Sequence, residues 1–522
     1  MKRLLDTWRP ALLVAGGFIY YLLFLGFRGT GTDGVALLDR LHGANRALME
    51  GKFSEFLASP HPFIDAVSIG VAAIGDNQLA TFGIVSALAV SLTLPAIWRM
   101  TEAACGTLGA ALATGLFLGL PPVAGAATAV GEAAIVLALW VWLLRLSTLT
   151  HQKWWTTTLL VLVASALALS WAPVVFWLFG WLLVYIVARS LDSSRGDRHA
   201  EGMLASMSVP VGVILAPLAA VAVPSLLFVA NGMSVTDGWG IYLDHSLFAD
   251  WAPVVFAGET FAESRPPLTT GFAWLTFEYS PHVVIAAIAA LVLPATEQFG
   301  AFADEDIDSP GFELPRSLCF LTLFFVMALP WALRTDSLGG VPAMLLAAPI
   351  LAILAGAIFA TLVRIPLSLL EERGTPRRTH RAVLVGLFGL FLLPGLVETA
   401  IVHPFEGSYY SWFADSTDGA IESGHPAMRD DVLPIHVAQS AARRVEDDRV
   451  ELGEWAPHFD AYLQHGYVPP LTLAGDDQPA QARFYGRDEV DLDGSEPAKR
   501  VTWSMEGTPI FLLDFRDLSE GE

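Results

Sequence analysis

Repeated apolar runs of about twenty residues constrain this chain more than any other feature. A bilayer core of ~30 Å takes roughly 20 residues to cross as a helix, and only a helix or a closed barrel satisfies its backbone there. Runs of this kind begin at Ala11, Gln78, Thr107, Gly131, Trp155, Ala172, Val209, His282, Leu318, Val341 and Ala382. They predict a polytopic α-helical membrane protein with about eleven spans. The stretch 62–75 is also apolar, but its 14 residues are marginal for a crossing.

Charge bias orients the spans and assigns that marginal stretch. With the N-terminus inside, the inner loops carry Arg99, then Arg145 and Lys153, then Arg189, Arg195 and Arg198, and later Arg316, Arg364, Arg373, Arg377, Arg378 and Arg381. Beyond the first outer loop, the outer loops carry Arg265 and Arg334. This asymmetry holds only if 62–75 does not cross. It is therefore expected to lie along the outer interface as a juxtamembrane helix. Two long outer loops follow, 28–77 and 231–281, in a membrane domain of residues 1–402. Residues 403–522 are expected outside as a small acidic α/β domain, with a helix over 431–445 and strands at VELG, VPPLTLAG, ARFYG and TPIFLLDF.

Composition excludes several classes. Of the 522 residues 54% are hydrophobic and 16% charged, where soluble domains carry roughly 25% charged residues. The net charge is −22, and residues 403–522 hold 24 acidic against 9 basic side chains. An acidic surface of that kind repels polyanions, so no nucleic-acid partner is expected. Cys105 and Cys319 show no metal or CxxC spacing and read as buried structural thiols. Metal signatures, phosphate-cradling Gly-rich loops, GxSxG elbows and dinucleotide fingerprints are missing, so neither a metal nor a cofactor is expected. No internal repeat suggests an inverted-repeat transporter.

What remains is a set of ionisable groups at the outer ends of spans. Asp33 lies in GTDG just beyond the first span, followed by Asp39, Arg40 and His42. His61, in SPHPF, opens the juxtamembrane stretch, and Glu132, in AVGEAA, opens the fourth span. A carboxylate at the membrane edge is costly and is usually functional. Plainer readings stand beside each: a loop aspartate in a Gly-rich turn, a cap before Pro62, and an acid favoured by the helix dipole.

The order of these features resembles the GT-C superfamily of membrane glycosyltransferases, in its protein mannosyltransferase and aminoarabinose-transferase-like branch. The likeness runs from Asp33 through SPHPFIDAVSIGVAAIGDN to LPPVAGAATAVGEAAIVLALWVWLLRL, and on to GGVPAMLLAAPILAILAG. Its most specific part is HPFEGSYYSWFADSTDGA over 403–420, which is similar to the family's HPY…SYYN…GGxxGA segment. GTPIFLLDF is similar to a family closing strand. The resemblance implies a GT-C-like integral protein of the cell (inner) membrane that moves a sugar from a polyprenyl-phosphate donor to a hydroxyl of a lipid, glycan or protein acceptor, with inversion. It implies Asp33 as general base, Glu132 and His61 as further catalytic groups, Arg265 and Arg334 as phosphate contacts, and Asp39 beside the substrate.

The chain departs from the family pattern at four places. Asp33-Gly34 replaces an Asp-Glu pair, HPF replaces HPP, Glu132 replaces an Asp, and Val341-Pro342-Ala343 replaces Val-Arg-His. These departures favour as the first alternative a catalytically inactive GT-C-fold protein that binds lipid-linked sugar or a protein partner. A transporter or flippase is the second, and the scarcity of charge at mid-span positions counts against it.

Overall fold

A backbone that cannot hydrogen-bond to solvent closes its bonds locally, and each of the eleven apolar runs contains a helix. The structure, a computed structural model, describes residues 2–23, 29–30, 45–47, 49–52, 56, 62–73, 78–129, 131–149, 153–170, 174–195, 210–243, 254–256, 259–261, 265–292, 316–333, 337–338, 341–402, 420, 433–445, 448–464, 468–474, 480–486, 499–505 and 508–515. Among these, four helical stretches are long and apolar enough to cross a membrane: Thr81–Leu118, Val211–Ala230, Met344–Glu372 and Arg377–Val402. Six shorter apolar helices accompany them. The chain is a polytopic α-helical integral membrane protein.

In chain order the helices are α1 (Lys2–Leu22), α2 (Pro62–Ala72), α3 (Gln78–Ser91), α4 (Leu94–Leu118), α5 (Pro121–Thr128), α6 (Ala133–Ser147), α7 (Trp154–Ser170), α8 (Val174–Arg195) and α9 (Val211–Ala230). They continue with α10 (Val235–Leu243), α11 (Thr270–Glu278), α12 (Pro281–Val292), α13 (Arg316–Leu333), α14 (Ala348–Glu372) and α15 (Arg377–Val402). A 3-10 turn, Ala343–Ala347, leads into α14.

Helix α14 is the hub, packed against α4, α12, α13 and α15. Small residues set its closest approach. A Cβ at Gly356 would lie 2.6 Å from the Cβ of Ala113 and 2.7 Å from its backbone nitrogen. Gly109 and Ala113 on α4, with Gly356 and Ala360 on α14, form two rows at i, i+4 spacing that let the backbones meet. Helix α4 bends at Gly106, whose φ of 75° and ψ of −179° suit only glycine. The bend interrupts the helical bonding pattern, and Arg364 of α14 donates a hydrogen bond from Nη2 to the Cys105 carbonyl at 2.7 Å. Residues 94–105 thereby form an arm distinct from the membrane leg that starts at Thr107, the position where the apolar run begins.

The C-terminal part is built on a five-stranded sheet, β7 (Arg449–Glu451), β8 (Thr472–Leu473), β9 (Ala482–Gly486), β10 (Lys499–Met505) and β11 (Thr508–Phe515), in the order β10-β11-β9-β7-β8. Strands β10, β11 and β9 are antiparallel, whereas β7 runs parallel to β8 and β9. Two helices join it, α16 (Ile435–Val445) and α17 (Ala456–Gln464). Helix α16 buries Val437, Ala438, Ala441, Ala442 and Val445, one face of a 3.6-residue period. Five shorter strands occur earlier: β1 (Gly29–Thr30), the β2 (Val254–Phe256) and β3 (Glu259–Phe261) hairpin, and β4 (Ser337–Leu338) with β5 (Val341–Pro342). Strand β1 pairs antiparallel with β6 (Leu433–Pro434), which joins the segment after α1 to the start of the C-terminal part.

Candidate functional site

One end of the helical bundle shares a hydrophobic cluster with the C-terminal sheet. Ile64 and Val71 of α2, Phe82 of α3, Ile135 of α6 and Val402 of α15 belong to the same core as Leu433, Val437, Phe459, Phe484 and Phe511. Helix α2 also packs against α3 and α7. The starts of α3 and α6, the end of α15 and the whole of α2 therefore converge beneath the sheet. The Tyr462 hydroxyl of α17 donates to the Leu433 carbonyl and holds β6 in that junction.

Glu132 stands at this end. It is the N-cap residue of α6, with φ −86° and ψ −26°, and its carbonyl accepts from the backbone N–H groups of Ile135 and Val136 at 3.0 Å. Its side chain makes no capping bond. Yet the residue is only 2% exposed. Burying a carboxylate is expensive, and the positive end of the helix dipole offsets a part of that cost. The carboxylate is thus buried at the end of the bundle that meets the C-terminal sheet, and it makes no capping bond to the first N–H groups of α6.

Strand β5 and the 3-10 turn pack against α6. Trp140 Nε1 donates to the Leu346 carbonyl at 3.1 Å, which fixes the turn on α6. From the other side Tyr279 donates its hydroxyl to the Met344 carbonyl at 2.6 Å. Val341-Pro342-Ala343 is therefore carried on the strand and turn that abut α6.

Three further acids lie at helix ends, and the sequence reading passed over all of them. Asp65 is fully buried in the first turn of α2. Glu278, also buried, ends α11. Glu398, in the penultimate turn of α15, accepts a hydrogen bond from the Ser280 hydroxyl. The signal was the one used for Glu132: an acid set in apolar sequence near a helix terminus, as in PFIDAV, WLTFEYS and PGLVETA.

Of the six residues singled out in the sequence, Glu132 and Arg265 are described. Arg265 is exposed, five residues before α11, in a stretch where Pro266 is buried. Asp33, Asp39, His61 and Arg334 lie outside the described residues. Among the described residues no group of three or more His, Cys, Asp or Glu is arranged to hold a metal ion. Cys105 and Cys319 are free thiols and buried.

No family model matches the chain, and no curated protein matches it. Among solved structures it is similar to ArnT from Cupriavidus metallidurans bound to undecaprenyl phosphate, at 12% identity and a TM-score of 0.48 over 98% of this chain and 98% of that one. The apo state of the same protein gives 14% identity and a TM-score of 0.45 over 91% and 87%. It is also similar to the apo oligosaccharyltransferase of Archaeoglobus fulgidus, at 11% identity and a TM-score of 0.41 over 80% of this chain and 53% of that one. These structural neighbours are membrane glycosyltransferases of the GT-C superfamily.

Proposed function

We propose that this protein is a GT-C-type membrane glycosyltransferase that moves a sugar from a polyprenyl-phosphate donor to an acceptor hydroxyl. The observation that carries the reading is Glu132, a carboxylate 2% exposed at the end of the bundle that meets the C-terminal sheet, with no side-chain capping bond. The resemblance over SPHPF, AVGEAA and HPFEGSYY supports it from the sequence side. In this reading the bundle crosses the cell (inner) membrane eleven times with its N-terminus inside. Residues 403–522 form an extracytoplasmic domain above the site, and α2 lies in the outer interface.

The acceptor oxygen attacks the anomeric carbon from the face opposite the phosphate. The C–O bond to phosphate breaks with inversion, and the polyprenyl phosphate leaves with the bonding electrons. Asp33 takes the acceptor's proton, a contribution of ~10²–10⁴ in rate. Glu132 orients the acceptor, His61 serves as a further catalytic group, and Asp39 contacts the substrate. Arg265 and Arg334 hold the negative charge of the departing phosphate, so no general acid is needed. A second reading has one specific support: Val341-Pro342-Ala343 offers no cation where the family has Arg-His, which suits an inactive member that binds lipid-linked sugar.

Transfer by the full chain in membranes, supplied with a panel of polyprenyl-phosphate sugars, separates the two. The expected result is transfer that Asp33→Asn abolishes while donor binding persists, because an amide cannot accept the proton. Arg265→Ala is expected to weaken donor binding, and Glu132→Gln to lower turnover to a lesser degree than Asp33→Asn. Full activity in Asp33→Asn removes Asp33 as the base. Donor binding without transfer by the wild type replaces the enzyme with the inactive reading.

A further inference from the structure

The turn between α14 and α15 carries four arginines in nine residues, Arg373, Arg377, Arg378 and Arg381, with no acid among them. All four are exposed, and among the described residues none of them forms an ion pair. Glu371 and Glu372, also exposed, end α14, and His380, half-buried, rests against the Pro376 carbonyl at 3.2 Å. The backbone of the turn is fixed. Gly374 takes a φ of 61°, its N–H donates to the Glu371 carbonyl at 2.9 Å, and the Thr375 N–H donates to the Leu370 carbonyl at 3.1 Å. This pair of bonds is the Schellman closure of a helix. The Thr375 hydroxyl donates to the same Leu370 carbonyl at 2.8 Å.

Helix electrostatics do not account for these charges. Cations at the start of α15 face the positive end of its dipole, and the two glutamates face the negative end of that of α14. Both placements cost helix stability, and like charges held together repel one another. The position of the turn points to the compensating anion. Val402, at the far end of α15, lies in the core shared with the C-terminal sheet. Arg377 is about 38 Å from it along the helix, at 1.5 Å per residue. That exceeds the ~30 Å of a hydrocarbon core, so the turn emerges at head-group depth on the opposite side. An exposed apolar stripe leads to the arginines on each helix. On α14, Leu362, Ile365 and Leu369 end at Arg373, and on α15, Arg378 is followed by Ala382, Val385 and Leu393 on one face of a 3.6-residue period.

We propose that Arg373, Arg377, Arg378 and Arg381 form a site for the phosphate head group of an anionic phospholipid in the leaflet opposite the C-terminal sheet, with its acyl chains along the exposed stripes of α14 and α15. Forked guanidinium groups pair with phosphate oxygens, and an anionic leaflet concentrates such groups at this depth. A zwitterionic lipid carries an ammonium that offsets its phosphate, so the site selects by net charge. Bound lipid neutralises the turn and covers α15 where protein does not. The site stands whether or not the chain transfers sugar.

Fluorescence quenching of the full chain in nanodiscs tests it, with bimane attached at Val385→Cys and brominated phosphatidylglycerol or brominated phosphatidylcholine as the quencher. Val385 is 70% exposed, and Cys105 and Cys319 are buried. It lies about 10 Å along the helix from Arg378, within reach of brominated acyl chains. The anionic lipid is expected to quench at a lower mole fraction than the zwitterionic one. That preference is read in the labelled parent without any change to the turn. It is expected to fall about fivefold in Arg378→Gln, the size of one basic residue at an anionic surface, and further when Arg377→Gln is added. Arg378→Lys keeps the charge and is expected to keep most of the preference. Lys153→Gln, at an exposed position between α6 and α7 at the same end of the bundle, is expected to leave it unchanged. Equal quenching by the two lipids, parental preference in the double Gln variant, or an equal loss in Lys153→Gln overturns the site.

Discussion

Helices α14 and α15 follow one another across a short turn and have nearly the same hydropathy, 2.4 and 2.0, yet their surroundings are opposite. The apolar window of α14 is 89% buried within the protein and that of α15 is 17% buried. Both helices are apolar, and small residues give α14 its closest approaches to its neighbours. Helix α14 presents Ala352, Ala355, Gly356, Ala357 and Ala360 to its neighbours, whereas α15 turns Val385, Leu390, Leu393, Val397 and Ile401 outward. In a bilayer a leucine gains little by leaving lipid for protein, so close packing of small residues decides which helix is central. Helix α15 buries only Gly395, Thr399 and Val402, all toward its C-terminal end. That end meets Gly119 of α4, carries Glu398, and joins the core shared with the C-terminal sheet. The peripheral helix is fastened most deeply where the candidate site is; along the rest of its length Leu384, Leu387, Phe388, Phe391 and Leu392 pack against the bundle while the opposite face is exposed.

The comparison breaks first at Gly356. A methyl group there meets the Cα of Ala113 at 2.8 Å as well as its nitrogen and Cβ, so the backbones of α4 and α14 must separate. Gly356→Ala is expected to cost ~1–3 kcal/mol, the range for overpacking a tight interface. Thermal unfolding of the purified protein measures it. Unchanged stability would mean that small residues do not set the α4–α14 spacing. Thr399 comes next. Its hydroxyl donates to the Gly119 carbonyl at 2.9 Å in a buried setting and pins the end of α15. Thr399→Val keeps the shape and removes that bond, and about 0.5–1.5 kcal/mol is expected to be lost. A cost as large as that of Gly356→Ala would make the fastening of α15 as important as the central packing.

Much of this architecture was legible in the sequence, for a physical reason. A backbone in lipid has no partner but itself, so long apolar runs become helices with little interference from tertiary context. Even the start at Thr107 is explained, since Gly106 breaks the helix just before it. The 94–105 arm was harder to read because Arg99 and Glu102 make it look like a loop; its helical face, Leu94, Ile97, Met100 and Thr101, is buried against the bundle. Strand β10 was missed because KRVTWSM begins with two charges, and α17 because nine residues opening on Ala-Pro give a weak helical signal. At the candidate site Glu132 was found by its place at a span edge. Asp65, Glu278 and Glu398 obey the same rule but sit in segments read only for their apolarity. Which acids share a site depends on how the helix ends are brought together, and spacing along one chain does not contain that.

The smallest effect, and the sharpest on sign, belongs to the outward face of α15. Gly386 has nothing within 4 Å of the position its Cβ would take. Glycine in a helix interior costs roughly 0.5–1 kcal/mol relative to alanine because the unfolded chain gains more freedom. Gly386→Ala is therefore expected to stabilise by up to about that amount, the reverse of the same change at Gly356. Leu390, 63% exposed, gives the companion test. Its removal leaves lipid where lipid already was, so Leu390→Ala is expected to change stability by less than ~0.5 kcal/mol. A loss in the 2–5 kcal/mol range usual for a buried leucine would mean that this face is covered by protein in the membrane. A destabilising Gly386→Ala together with that loss would place a close-packed partner helix along α15, and the contrast with α14 would then disappear.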